Sequence, residues 1–321
     1  MTKVKFGFTV PNRLPLFHDY SALELVNLVK KVDEMNGFHS TWVGDNLLTK
    51  PRLESISVLS ALAVSTKRLK LGTACMASFT LRDPILLATQ WATLDVLSSG
   101  RTILGVCIGG AIAGGEISAE KEFLAFGRQI KHRVSLMTEG VEVLRKLWTG
   151  EPVSYEGKHY RLDRIRVLPK PVQNPVPIWV AVTPRPETAE TTNRRVAKYF
   201  DGWMTTKVYP PQFAEHWDAI RRYASEYNRR IEENLLYYNL NINDNREAAF
   251  REAKTFLDGY YMMDFSKPGI DIWSAYGPPH ECIKRLDEYV SAGAKGITIR
   301  FASFDQLGQL RRFEREVLPS F

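Results

Sequence analysis

Short runs of β-branched and apolar residues recur along the chain, each followed by a stretch whose apolar positions repeat at helical spacing. The first run spans 4–10 and stops before Pro11. After it, Ser21-Ala22-Leu23-Glu24 has the spacing of a capping box. Leu25, Val26, Leu28, Val29 and Val32 then give the following helix its buried stripe, and Gly37 ends it. A second strand at 40–44 runs into Asp45-Asn46, and a helix over 54–65 leads to a third strand at 69–74. Asp83 as N-cap with Pro84 in the first turn opens the next helix, which Gly100 stops before a fourth strand at 102–107.

The rhythm breaks over 111–126, where Gly114-Gly115 and several acidic residues precede a helix predicted at 128–148. A small hairpin at 153–162 and a proline-rich connector at 169–177 follow, and neither reads as a separate domain. The alternation then resumes. Strands are predicted at 178–182, 202–205, 235–242 and 296–300, with helices over 187–198, 211–230, 246–257 and 305–317, and one more that Pro279 opens and Gly293 caps. The sixth strand, at 202–205, is the shortest. Eight strands, each followed by a helix, predict an α/β fold of the (β/α)8 TIM-barrel type in one domain over 1–321. The segment between strands four and five is an insertion region. An open doubly wound sheet has fewer strands. Chemistry in such a barrel sits at the C-terminal strand ends, which here are Asn12, Asp45-Asn46, Ala74-Cys75, 107–110, Val182-Thr183, Thr205-Thr206, Asn243 and Arg300.

Composition changes this picture little. The 321 residues are 44% hydrophobic and 25% charged, as in ordinary globular proteins. No apolar run reaches the ~18 residues of a membrane span, and no signal-peptide pattern is seen, so a cytoplasmic protein without a membrane partner is expected. The net charge of +7 is spread over pairs such as Arg194-Arg195 and Arg311-Arg312 on helical stretches, so nucleic acid is not expected as a partner. Three cysteines lie far apart and six histidines share no metal-ligand spacing, which points to a reducing compartment and no metal site.

The stretch 69–110 holds the most chemistry. Two adjacent strand ends carry Thr73, Ala74, Cys75, Cys107, Gly109 and Gly110, small enough for a flat ligand to lie against the backbone. The glycines lack the GxGxxG spacing of a dinucleotide fingerprint. Strand five ends in Ala181-Val182-Thr183, then Pro184-Arg185-Pro186-Glu187 enters a helix. A helix N-terminus favours an anion, so Thr183 and Arg185 are candidates for a cofactor phosphate. The aromatic stretches 260–265 and 272–276 could roof a substrate pocket or form a dimer surface.

Several segments together resemble the bacterial-luciferase-like flavin-dependent oxidoreductases. They are Gly37-Phe38-His39-Ser40-Thr41-Trp42-Val43-Gly44-Asp45, Arg68-Leu69-Lys70-Leu71-Gly72-Thr73 and Ala92-Thr93-Leu94-Asp95-Val96-Leu97-Ser98-Ser99-Gly100-Arg101. Leu147-Trp148-Thr149-Gly150, Tyr155-Glu156-Gly157-Lys158-His159-Tyr160 and Pro177-Ile178-Trp179-Val180-Ala181 follow in order. The resemblance implies a barrel holding reduced FMN, or a deazaflavin coenzyme, at its mouth, and a homodimer. It also implies oxidoreductase activity. One member class is a monooxygenase that takes reduced FMN from a separate flavin reductase and acts with dioxygen on a small organic substrate. Another uses deazaflavin for hydride transfer without oxygen. Reduced FMN with a monooxygenase activity is the expected combination, deazaflavin the alternative, and a flavin-binding protein without catalysis a third.

The resemblance also implies a non-proline cis peptide at Ala74-Cys75 that presses against the flavin ring, with Cys107 close by. Asp45 and Asn46 fall where the chemistry of related enzymes is placed. Asn46 stands where those enzymes carry a histidine, and an amide cannot exchange a proton near neutral pH. Gly110 stands where deazaflavin-dependent sugar-phosphate dehydrogenases place a glutamate, which argues against that substrate class.

Overall fold

The computed structural model describes residues 4–110 and 117–321, so the predicted break at Gly114-Gly115 lies outside the described residues. The first half of the chain alternates β1 (Lys5–Val10), α1 (Ala22–Glu34), β2 (Phe38–Val43), α2 (Ser55–Ser65), β3 (Lys70–Thr73), α3 (Pro84–Leu97) and β4 (Thr102–Val106). The insertion region follows, with α4 (Ala119–Ala125), α5 (Arg133–Leu147) and the antiparallel hairpin β5 (Val153–Glu156) and β6 (Arg161–Ile165). The second half runs β7 (Ile178–Ala181), α6 (Ala189–Tyr199), β8 (Gly202–Thr205), α7 (Pro210–Glu226), β9 (Glu233–Ile242), α8 (Arg246–Tyr261) and α9 (Lys267–Asp271). It closes with β10 (Ser274–Gly277), α10 (Pro279–Ser291), β11 (Gly296–Phe301) and α11 (Gln306–Arg312).

Strands β1, β2, β3, β4, β7, β8, β9 and β11 pair in that order, all in parallel, and β11 returns to β1. The result is the closed (β/α)8 barrel that the alternation predicts. Local signals hold where they were read. Ser21 and Glu24 form the reciprocal capping box of α1, and the Asp83 carboxylate accepts the N–H groups of Ile85 and Leu86 ahead of α3. The short β8 is a barrel strand, paired with both β7 and β9.

One strand is additional. β9 is ten residues long, and its first residues pair with β8 while Asn239 to Ile242 pair with β10. This ninth parallel strand overlaps the aromatic stretch 272–276 and ends at Gly277. Its Ser-Ala-Tyr-Gly sequence has no apolar period to announce it. Phe301 and Phe313 pack edge-on outside the sheet, while the barrel interior is filled by Trp42, Ile103, Trp179, Met204 and Leu235. The Trp42 and Trp179 rings lie 5.5 Å apart, and a Cβ at Gly72 or Gly202 would fall 2.3 Å and 2.7 Å from those indoles. This plug closes the barrel below its mouth, with Ala74 and Ala181 packed on top. Among the described residues no helix is long and apolar enough to cross a membrane.

Candidate active site

The mouth is shaped by an interruption between β3 and β4. Their ladder pairs Leu71 with Thr102 and Gly72 with Ile103, and then stops. At the next step the Thr73 hydroxyl replaces the ladder, donating to the Gly105 carbonyl at 2.7 Å and accepting the Gly105 N–H at 3.1 Å. The Ala74-Cys75 peptide is cis, as the resemblance implies, and pairing resumes with the Met76 N–H on the Gly105 carbonyl. Thr73 is therefore buried in the strand and outside the lining, because its hydroxyl is consumed in shaping the bulge. Ala74 and Cys75 project into the mouth instead.

They form part of the floor of a cavity of about 310 Å³ at the C-terminal strand ends. Asn46, Cys107, Gly109, Ala181, Val182 and Thr183 line it as well, so most of the predicted site comes together. Gly109 has φ +66°, and a Cβ there would fall 2.4 Å from the Ala77 carbonyl, so the close approach of this loop requires glycine. The Cys75 thiol is pushed well above the ordinary range by the adjacent Cys107 thiol and by burial, which keeps it protonated. The Cys75 thiol is therefore not set up as a nucleophile.

Besides Thr73, the expectations for Asp45, Gly110 and Arg185 need correction. Asp45 touches the cavity, but its carboxylate is saturated. It accepts the Ser55 hydroxyl and Arg82 on one oxygen and the Ser78 N–H and hydroxyl on the other, at 2.6–3.2 Å. It anchors the β2 and β3 loops to each other and has no lone pair left for proton transfer. Asn46 is partly committed too, its Oδ1 accepting the Thr49 hydroxyl and the Lys50 N–H at 2.7 Å each. That is the turn-capping role open to an asparagine in a loop. Gly110 turns away, and a Cβ there would meet Arg133 of α5 at 2.7 Å. Arg185 is exposed and outside the lining, because a 3-10 turn at Pro186–Thr188 precedes α6 and carries the guanidinium outward. Thr183 does line the cavity, with its hydroxyl donated to the Thr206 carbonyl at 2.7 Å.

The other half of the cavity is cationic and aromatic: Tyr261 and Trp273 come from the two aromatic stretches expected to roof a pocket or form a dimer surface, whereas the sequence gives the cations no role. It holds Lys50, Arg52, Tyr237, Tyr261, Trp273 and Arg300. Arg300 was placed at the end of the eighth strand but given no role. It is 1% exposed, its guanidinium 3.9 Å over the Tyr260 ring, and its Nη1 donates to the Tyr261 hydroxyl at 2.7 Å. The Tyr261 and Tyr237 hydroxyls are 2.8 Å apart, and burial raises both pKa values, so they remain neutral hydroxyls. Lys50 is pushed down to about 8, first by burial and then by Arg52, Lys207 and Arg13. A signal for Lys50 and Arg52 was available. They follow strand two, and barrel-mouth loops carry function.

A floor of small residues on β3, β4 and β7, facing a polar wall, is what a flat cofactor and a substrate beside it require. Comparison with known proteins agrees with that geometry. The chain is 26% identical to an F420-dependent glucose-6-phosphate dehydrogenase of Amycolatopsis mediterranei, over 92% of this chain and 93% of the relative. It is 25% identical to the protein of the same name from Nakamurella multipartita, over 98% and 96%. The crystal structure of monooxygenase RslO1 from Streptomyces bottropensis shares the fold, with a TM-score of 0.79, 24% identity and coverage of 98% and 99%. A single family model, described as luciferase-like monooxygenase, matches residues 4–270. With the barrel closed and the match running through most of it, the chain belongs to the luciferase-like monooxygenase family, a family of oxidoreductases.

Proposed function

We propose that the protein is a deazaflavin-dependent oxidoreductase, a reductase or dehydrogenase that needs no dioxygen. The floor fits such a group. Ala74, Cys75, Cys107 and Gly109 present little beyond backbone and short side chains, so a flat ring can lie close against them. When bound, a deazaflavin supplies hydride transfer, and the protein supplies position and electrostatics. Tyr237, Tyr261 and Trp273 wall the cavity and exclude water, and the Asn46 side-chain amide keeps its N–H donors for the ring or the substrate. The observation that carries this reading is the small-residue floor in a chain similar over nearly its whole length to F420-dependent enzymes. Those relatives act on glucose 6-phosphate by name. Asn46 and the outward-turned Gly110 argue that this chain acts on a different small molecule.

The description of the family favours a second reading, a reduced-FMN monooxygenase supplied by a flavin reductase. Titrating the purified protein with reduced deazaflavin coenzyme and with reduced FMN, anaerobically, separates the two. Tight binding of the deazaflavin with weak FMN binding supports the first reading, and the reverse order replaces it with the second.

The functional unit in this reading is a homodimer. Helices α2 and α3 expose the large apolar side chains Val64, Leu86, Val96 and Leu97 among polar residues such as Ser57 and Thr93. The two helices pack side by side, and burial of these apolar side chains against a second copy supports the dimer.

A further inference from the structure

The cavity carries more positive charge than its own residues neutralise. Lys50, Arg52 and Arg300 all line it, and among the described residues none of the three is ion-paired. The carboxylate of the lining, Asp45, is already bound to Arg82 at 3.2 Å. The charges that act on Lys50 are themselves cations, Arg52 in the lining and Lys207 and Arg13 beyond it, while the buried Glu122 carboxylate is taken up by the Leu48 and Thr49 N–H groups and the Thr49 hydroxyl.

Two of these cations, Arg300 and Lys50, are also poorly hydrated, and Arg52 is half-buried. Arg300 is 1% exposed, and its Nε has no hydrogen-bond partner, although Nη1 is held by Tyr261. Lys50 is 7% exposed, and its Nζ reaches the thioether of Met263 at 3.6 Å, a weak acceptor. Arg52 spends its Nε on the Lys50 carbonyl, with its guanidinium 5.6 Å from the Tyr260 ring centroid. Burying cations without a counter-charge is costly, and such arrangements concentrate where a ligand completes them.

We propose that Lys50, Arg52 and Arg300 form an anion-binding subsite that receives a carboxylate, sulfonate or phosphate group of the substrate. Its position sets it apart from the cofactor's place. Arg300 ends β11 and the other two follow β2, whereas the small-residue floor extends across β3 and β4 to β7, further around the ring. An anionic group seated there holds the rest of the substrate over that floor. Only the word substrate rests on the function proposed above; the anion site stands on the cations alone.

The test is calorimetric titration of the whole protein with inorganic phosphate and with sulfate at constant ionic strength. Saturable binding is expected, weakened about tenfold or more in each of Lys50→Met and Arg52→Gln. Arg300→Lys keeps the charge but loses the fork and is expected to weaken binding without unfolding the protein. Equal binding by wild type and the first two variants, or none by wild type, overturns the subsite. A second arm repeats the titration with reduced deazaflavin saturating. Undiminished phosphate binding assigns the subsite to the substrate, whereas competition assigns it to the cofactor's own anionic tail and overturns the proposal. Phosphate binding by a protein that takes no deazaflavin leaves the anion site standing and removes the proposed cofactor instead.

Discussion

The guanidinium of Arg300 lies 3.9 Å over the ring of Tyr260 while its Nη1 is held by the hydroxyl of Tyr261. Consecutive residues at the C-terminus of α8 thus fix the position and the direction of one charge at the end of β11. Tyr261→Phe removes the directional contact and leaves the stacking. Substrate KM is expected to rise about tenfold, as for loss of a hydrogen bond to a charged group, with kcat changed much less. Steady-state kinetics on wild type and variant check this. An equal fall in kcat and kcat/KM contradicts it.

Asp45 distinguishes an anchor from a base. With four donors on a carboxylate that is 1% exposed, Asp45→Asn leaves Arg82 with one fewer partner and breaks a buried network. Stability is expected to fall by about 3–5 kcal/mol, the usual range for breaking a buried charge pair. Urea denaturation measures it. A variant of unchanged stability and abolished turnover would instead give Asp45 a direct part in the chemistry.

Gly109→Ala tests the floor. The added methyl would meet the Ala77 carbonyl in a backbone region that alanine avoids, so destabilisation of about 1 kcal/mol or more is expected together with loss of cofactor binding. Thermal unfolding and a cofactor titration on the same sample read both effects. Full cofactor affinity in this variant would place the ring elsewhere.

Lys50 carries a pH signature. Its folded pKa is lowered to about 8 from an ordinary value of 10.5, so the charged form is penalised by folding. Between those values the unfolded chain binds the extra proton, and this group's contribution to stability rises with pH. Below pH 8 the full penalty applies. Lys50→Met is therefore expected to raise the unfolding temperature at pH 7, with the advantage shrinking toward pH 10. An advantage independent of pH contradicts this, as does a loss at pH 7.

The frame was legible because most barrel strands are short apolar runs and several of the following helices have a start signal, such as Ser21 with Glu24 or Asp83 with Pro84. The small-residue floor was legible for the same reason: Ala74, Cys75, Cys107 and Gly109 sit at strand ends that sequence order alone places side by side. The cationic half was not. The aromatic stretches stand out as a roof or a dimer surface, but Lys50 after β2 and Arg300 on β11 are far from them in sequence, and only closure of the barrel brings these cations beside Tyr261 and Trp273. Arg185 shows the converse, since one 3-10 turn was enough to carry a suitable side chain out of the mouth. The chemistry of Asp45 depended on its partners Ser55, Ser78 and Arg82, which spacing does not reveal.

The most direct measurement is a crystal structure of the protein with a reduced deazaflavin coenzyme bound. The tricyclic ring is predicted to lie against Ala74 and Cys75, with Cys107 and Gly109 beside it, leaving Lys50, Arg52 and Arg300 free for a second ligand. A ring stacked instead among Tyr237, Tyr261 and Trp273, with the β3 bulge bare, would contradict it.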